Sequence, residues 1–268
     1  MYPSTLIHNK HLIILYDKPV IFYSVSLVME SNIRDIYIIC RSEDLDIYKR
    51  LLQNGNQWGI SVYYVIQDEA DGIVDGVKRC ISQLEKDSCM ICLGDNFIYQ
   101  RELVNCLDAR ELNNVGAVML CVKRDYEHLI STIEFDDEER VLEIVRVNGP
   151  KDKYISPGVF LYDEQLWSIL AELRDDEPWV EVNKRYLKEN QLKVVKLPSD
   201  TVWHDVGVPN ERLEAEQFIE GLFLNEKKLL GCPEEVAYRK GWISREIYDA
   251  LLEKMPVCQY RTYLESIK

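Results

Sequence analysis

Leu93-Gly94-Asp95-Asn96 follows an apolar run and sets a carboxylate at the end of what reads as a buried strand. In an open α/β sheet that position lies at the carboxyl edge, where ligands bind. Asp205, in Trp203-His204-Asp205-Val206-Gly207, is a second acid in a short apolar setting. Its neighbour His204 has no serine or cysteine arranged around it as a nucleophile, so packing is its expected role. Cys89 and Cys92 have CxxC spacing. They fall in a strand, where residues three apart point to opposite faces, so a shared metal or redox pair is not expected. Lys10, Gln67 and Gly72 taken alone serve equally as surface charge, loop cap and bend. No glycine precedes Gly55, so no glycine-rich anion loop stands ahead of the helix-grade run Val20–Met29.

The elements that must position these residues alternate. Strands are predicted at 36–40, 61–66, 89–93 and 117–122, with helices at 44–53, 72–84 and 101–112 between them, the pattern of a parallel sheet covered on both faces. Three strand candidates then follow one another, at 132–135, 141–145 and 159–162, joined by charged turns, which predicts antiparallel pieces beside the sheet. A helix at 180–190, a strand at 192–197 and a helix at 211–223 come next. The tail reads as helical: Cys232-Pro233-Glu234-Glu235 starts one helix, Gly241 ends it and Ser244 opens another.

Composition bounds the possibilities. The 268 residues are 47% hydrophobic and 29% charged, which is globular. A balance of 32 basic against 46 acidic residues, net −14, disfavours nucleic acid and anionic membranes as partners but tolerates a small phosphorylated ligand with local cations. No run approaches a membrane span, and the eight cysteines sit mostly in apolar runs as reduced core residues do, so a cytoplasmic location is expected.

Several segments together resemble bacterial glucose-1-phosphate thymidylyltransferases, which join dTTP and glucose 1-phosphate into dTDP-glucose. They are YDKPVIFYS at 16–24, IRDIYIICRSEDL at 33–45, LLQNGNQWGISVYYVIQ at 51–67, LGDN at 93–96, IEFDD at 133–137, WHDVG at 203–207 and CPEEVAYRKGWI at 232–243. The resemblance implies a Rossmann-like nucleotidyltransferase fold: an α/β chain with a mixed, mostly parallel central sheet, helices on both faces and a helical C-terminal appendage. The division it implies is residues 1–225 for the α/β domain and 226–268 for a segment of subunit contacts and a regulatory site. It further implies nucleotide binding by Gln67, Gly72 and Asp95, a Mg²⁺ site at Asp95 and Asp205, and a catalytic lysine at Lys10. Glu235, Val236 and Arg239 match positions lining the regulatory nucleotide-sugar site.

The chain also departs from the family. The family's strand and GGxGTRL loop, which cradle the triphosphate, precede the residue matching Met1 and are not in this sequence. In the sugar pocket a family glycine is Ser131, and the Glu-Lys-Pro that meets sugar hydroxyls and phosphate aligns with Val145-Arg146-Val147. Valine cannot accept from a hydroxyl, and arginine does not duplicate lysine. The expectation is therefore a catalytically degenerate homologue that binds a nucleotide or nucleotide sugar, as a homo-oligomer or in a hetero-oligomer with an active paralogue. The alternative is an active thymidylyltransferase whose sequence as given lacks its start. The run Leu12–Tyr16 has become a good strand and is expected to fill the place of the family strand in the sheet.

Overall fold

A short 3-10 turn, Lys10–Leu12, leads into a hairpin of β1 (Ile14–Leu15) and β2 (Lys18–Pro19), and then into α1 (Ile21–Glu30). The computed structural model describes residues 6, 9–69, 72–81, 87–107 and 115–267. Next come β3 (Asp35–Cys40), α2 (Leu45–Leu52) and β4 (Ser61–Ile66), a β–α–β unit with parallel strands in register from Asp35↔Ser61 to Cys40↔Ile66. Helix α3 (Ile73–Cys80) precedes β5 (Cys89–Cys92) and β6 (Asn96–Tyr99).

The middle of the chain gives β7 (Ala117–Arg124), β8 (Leu129–Phe135), β9 (Val141–Asn148), β10 (Lys153–Ile155) and β11 (Val159–Tyr162). Helices α4 (Gln165–Glu172) and α5 (Val180–Lys188), strands β12 (Leu192–Lys196) and β13 (Val202–Asp205), and α6 (Pro209–Glu226) follow. Three helices, α7 (Pro233–Arg239), α8 (Arg245–Lys254) and α9 (Gln259–Glu265), end the described chain. No helix among the described residues is long and apolar enough to cross a membrane.

The larger sheet runs β5-β11-β7-β10-β8-β9, with β12 on the other edge of β7. The sheet is mixed: β7–β12 is parallel and the other ladders within it are antiparallel. β7 is central and buried on both faces, which is why it reads as the continuous run AVMLCV. Its side chains alternate: Met119 and Cys121 pack with Leu170 and Tyr186 of α4 and α5, while Val118 and Leu120 pack with Leu103 and Trp203 on the opposite face.

The C-terminal helices share a core with α1 and the first β–α–β unit, where Val236, Ala237, Tyr248 and Leu264 meet Val25, Met29, Ile38 and Tyr48. Gly241 ends α7 at φ +67°, and the Ser244 hydroxyl caps α8 by accepting from Ile247 N, as the sequence implied.

Three expectations are corrected or bounded. Leu12–Tyr16 does not join the large sheet: among the described residues Ile14–Leu15 pairs only with Lys18–Pro19, in a turn with Tyr16 at φ 62°. Leu15 is fully buried against Val20, Phe97 and Ile219, and its carbonyl accepts from the Tyr23 hydroxyl, so the segment is anchored elsewhere. The sheet is consequently interrupted, since β3 pairs only with β4 and β5 only with β11 among the described residues. The helix expected at 101–112 is a 3-10 turn, Leu103–Cys106, as far as it is described, and 108–114 lie outside the described residues. Likewise 82–84 of the helix expected at 72–84 lie outside them.

Gly158 shows how closely the sheet approaches the turn after β5. It has φ +77°, and a Cβ there would stand 2.7 Å from Leu93 Cδ1. Gly158→Ala should therefore cost about 1–3 kcal/mol from backbone strain and crowding, read as a lower urea midpoint at unchanged m-value.

Candidate active site

Asp95 is delivered by the tight turn from β5 into β6. β6 pairs antiparallel with β13, placing Asn96 opposite Asp205, and Val206 N donates to Asp95 O at 2.9 Å. Two aspartates 110 residues apart in sequence thus emerge from adjacent backbone. The Asp205 carboxylate accepts from the Tyr126 hydroxyl at 2.6 Å and from Gly207 N at 2.9 Å. Trp203 Nε1 donates to Asn96 Oδ1 at 2.8 Å, which ties the two strands together by their side chains.

Behind Asp205, Arg124 lies over the Trp203 ring and pairs with Glu211 at 2.8 Å, and Glu211 also meets His204 Nδ1 at 2.6 Å. His204 is thus a packed, partnered histidine. With Glu211 and Glu214 it forms the one group of three potential metal ligands found among the described residues, but Arg124 already neutralises Glu211.

Lys10 arrives from the 3-10 turn. Asn9 opens that turn, its side-chain oxygen accepting from His11 N, while its amide donates to Asp44 at 3.1 Å. Lys10 Nζ meets Asp95 Oδ2 at 2.5 Å, with the lysine side chain 47% exposed and the aspartate 14%. Burial would raise the Asp95 carboxyl, but Lys10 and His11 beside it more than offset this and hold it below the usual carboxylate value.

His11 itself was not singled out by the sequence. Its ring lies against Gly94, where an added Cβ would be 3.2 Å from it, and its Nδ1 faces the Tyr48 hydroxyl at 3.3 Å. Burial pushes its imidazole down to about 4, so the ring is neutral at pH 7. Because the folded value lies below the ordinary 6.5, this group supports folding fully above about pH 6.5 and loses that support as pH falls toward 4. The loss should be on the order of 1–3 kcal/mol, allowing for partial solvent access. Urea titrations at successive pH values across that window should show it in the native chain and a flatter dependence in His11→Gln.

A cavity of about 600 Å³ opens beside Lys10 and His11 and is lined across from them by Ile39, Arg41 and Gln67. Gln67 Nε2 donates to Gly72 O at 2.8 Å and to Asp75 Oδ2 at 2.9 Å, so its amide protons are used within the protein and Oε1 is its remaining acceptor. Arg79 pairs with the same Asp75 oxygen and lowers that carboxyl. Gly72 stands at φ +96° with open space where a Cβ would go.

The candidate sugar-side residues lie on β8 and β9. Ser131 is opposite Arg146 and Thr132 opposite Val145. A chain of hydrogen bonds links them to the Asp95 turn: Ser156 N to Ser131 O, Gly158 N to Ser156 Oγ, and Leu93 N to Gly158 O. Arg146 is exposed and has no ion pair among the described residues. Glu235, Val236 and Arg239 are on α7, in a separate group. Val236 is buried in the core, Glu235 accepts from the Tyr263 hydroxyl at 2.8 Å, and Arg239 is held by Glu30 at 2.5 Å and Glu235 at 3.1 Å.

Lys10, Asp95 and Asp205 thus meet where the β5–β6 turn lies beside the end of β13. The sequence profile of the Nucleotidyl transferase family matches residues 1–221, and the chain belongs to that family, among members related to the glucose-1-phosphate thymidylyltransferases. The enzyme of that name from Mycobacterium tuberculosis is 32% identical over 92% of this chain and 87% of its own length. The one from Neisseria meningitidis is 29% identical over 98% of this chain and 93% of its own. A crystal structure of a candidate glucose-1-phosphate thymidylyltransferase from Bacillus anthracis, in complex with a sucrose, is similar at a TM-score of 0.73 and 26% identity, covering 81% of this chain and 89% of that one.

Proposed function

We propose that this chain binds a nucleotide or nucleotide sugar at the Asp95–Asp205 edge and that transfer to a sugar phosphate is lost or strongly impaired, leaving a binding or regulatory role in nucleotide-sugar metabolism. The observation that carries this reading is the unequal equipment of the two halves of the edge. One half gathers Lys10, Asp95 and Asp205, with Gln67 across a cavity. The other presents Ser131, Val145 and Arg146 where the family has a glycine and a carboxylate–lysine pair.

The first half suits a polyphosphate. Each Asp95 and Asp205 oxygen has one protein donor, Lys10 and Asn96 for Asp95 and Tyr126 and Gly207 for Asp205, so accepting capacity remains. Two hard carboxylates of this kind fit Mg²⁺, which would supply charge neutralisation at phosphate oxygens. Lys10, on a flexible and half-exposed stem, can reach a phosphate while remaining near Asp95. Gln67 Oε1 can accept from a pyrimidine N–H, and the open space at Gly72 admits a flat ring.

The second half is poor. A hydroxyl or phosphate that loses a charged partner forfeits about 1.5–3 kcal/mol. Arg146 is the feature that supports the competing reading, an active thymidylyltransferase, because its free guanidinium could receive a sugar phosphate. Calorimetric titration with dTTP, dTDP-glucose and glucose 1-phosphate, each with and without Mg²⁺, separates the two. Mg²⁺-dependent heat from dTTP or dTDP-glucose, and none from glucose 1-phosphate, is expected. Silence with all three removes the binding claim, and heat from glucose 1-phosphate as well as from dTTP favours the active enzyme.

A further inference from the structure

Tyr126 stands in the turn between β7 and β8 and is buried there. Its backbone N–H donates to Pro150 O at 3.0 Å, in the turn between β9 and β10. Two more hydrogen bonds stitch these turns together: Asp152 N donates to Asp125 Oδ1 at 2.7 Å, and Gly149 N to His128 O at 3.3 Å. On its other side the Tyr126 ring packs edge-to-face on Trp203 of β13, with centroids 5.3 Å apart. Trp203 is itself buried, and the Arg124 guanidinium lies 5.4 Å from its ring centre. A tyrosine held at its backbone and across its ring has its rotamer locked by packing, so its hydroxyl is fixed in place.

That hydroxyl is used on Asp205. It donates to Oδ2 at 2.6 Å, while Oδ1 accepts from Gly207 N at 2.9 Å. The terminal torsion of an aspartate is broad, and one donor on each oxygen removes that freedom. The phenolic donor is neutral, so it orients the carboxylate without cancelling its charge; at Asp95, by contrast, Lys10 offsets the charge. Trp203, the other half of the aromatic pair, acts on Asp95. Its Nε1–H occupies Asn96 Oδ1 at 2.8 Å, which leaves the Asn96 amide N–H to donate to Asp95 Oδ1 at 3.2 Å.

We infer that Tyr126 is the positioning residue of the Asp95–Asp205 edge. Its hydroxyl sets the plane of the Asp205 carboxylate, and its packing on Trp203 supports the Asn96 bond that orients Asp95, so that both acids are preoriented for a divalent cation. The inference rests on the proposed binding of a nucleotide with Mg²⁺ at this edge. Space-filling alone would need no hydroxyl at this position, because phenylalanine presents the same ring to Trp203. Groups that hydrogen-bond a metal's ligands typically carry about 10- to 100-fold in metal affinity.

The test is Tyr126→Phe in the full chain, with dTTP affinity measured by calorimetry with and without Mg²⁺. The Mg²⁺-dependent gain in affinity should fall by about 10- to 100-fold while metal-free affinity is kept. A gain unchanged in Tyr126→Phe overturns the inference and leaves the metal reading standing. Equal losses with and without Mg²⁺, the mark of a generally loosened fold, also overturn it. A native chain that shows no Mg²⁺-dependent gain overturns the metal reading itself, and the inference with it.

Discussion

Replacing Asp95 with asparagine should weaken dTTP binding in the presence of Mg²⁺ by about 10- to 100-fold, the equivalent of one charged contact. The same change should leave Mg²⁺-free binding unchanged or tighter. On the proposed reading Asp95 does two opposed things: together with Asp205 it would offer a hard oxygen donor to the metal, and it neutralises the Lys10 ammonium at 2.5 Å. Asparagine removes the anionic donor and releases the ammonium toward whatever phosphate approaches. Asp205→Asn should lose Mg²⁺ dependence without the compensating gain, because Asp205 is held by Tyr126 and Gly207 rather than by a cation. Calorimetry of both variants, with and without metal, reads the difference. Parallel losses in the two variants under both conditions would show that Lys10 is not the counter-charge the geometry implies.

The second large effect is in the core. Tyr162 is fully buried between the sheet and α5; its hydroxyl donates to Asn183 Oδ1 at 2.5 Å and accepts from Trp179 Nε1 at 2.9 Å. Tyr162→Ala should cost about 4–5 kcal/mol through the cavity and two orphaned polar groups. Tyr162→Phe keeps the ring and orphans the same groups, at about 2–3 kcal/mol. Out of a typical total of roughly 5–15 kcal/mol, the alanine variant should unfold near room temperature or fail to accumulate. Urea denaturation of the phenylalanine variant is the cleaner measurement. A neutral result would mean that the Trp179–Tyr162–Asn183 network adds nothing beyond shape.

Much of this architecture was legible because its central strands are continuous apolar runs. β3, β4, β7 and β11 declare themselves by composition, and the helix caps at Ser244 and Gly241 by residue type. β6, β10 and β13 do not: they are three or four residues long, and Asn96, Lys153 and His204 mask their apolar positions. α4 also went unseen; only Asp163 and Glu164 separate it from β11.

Beyond Asp95 at the end of its strand, the candidate site residues were suggested only by the family resemblance. Lys10 and Asp95 are 85 positions apart, and no local pattern joins them. His11 was missed because its seat depends on Gly94 lacking a side chain, a relation visible only in three dimensions. Leu12–Tyr16 misled because a strand-like composition is also what a hairpin anchored by one buried leucine requires. Arg239 likewise matches a ligand-binding position by resemblance, yet here its guanidinium is spread across Glu30 and Glu235, so a diphosphate would have to displace an internal carboxylate.

The most direct test is a single-turnover experiment with residues 1–268 in excess over dTTP, with glucose 1-phosphate and Mg²⁺ present and dTDP-glucose quantified over time. The account predicts bound dTTP with product formation at least about 10³-fold below an ordinary enzymatic rate of roughly 1–10³ s⁻¹. Formation of dTDP-glucose within that ordinary range would contradict it.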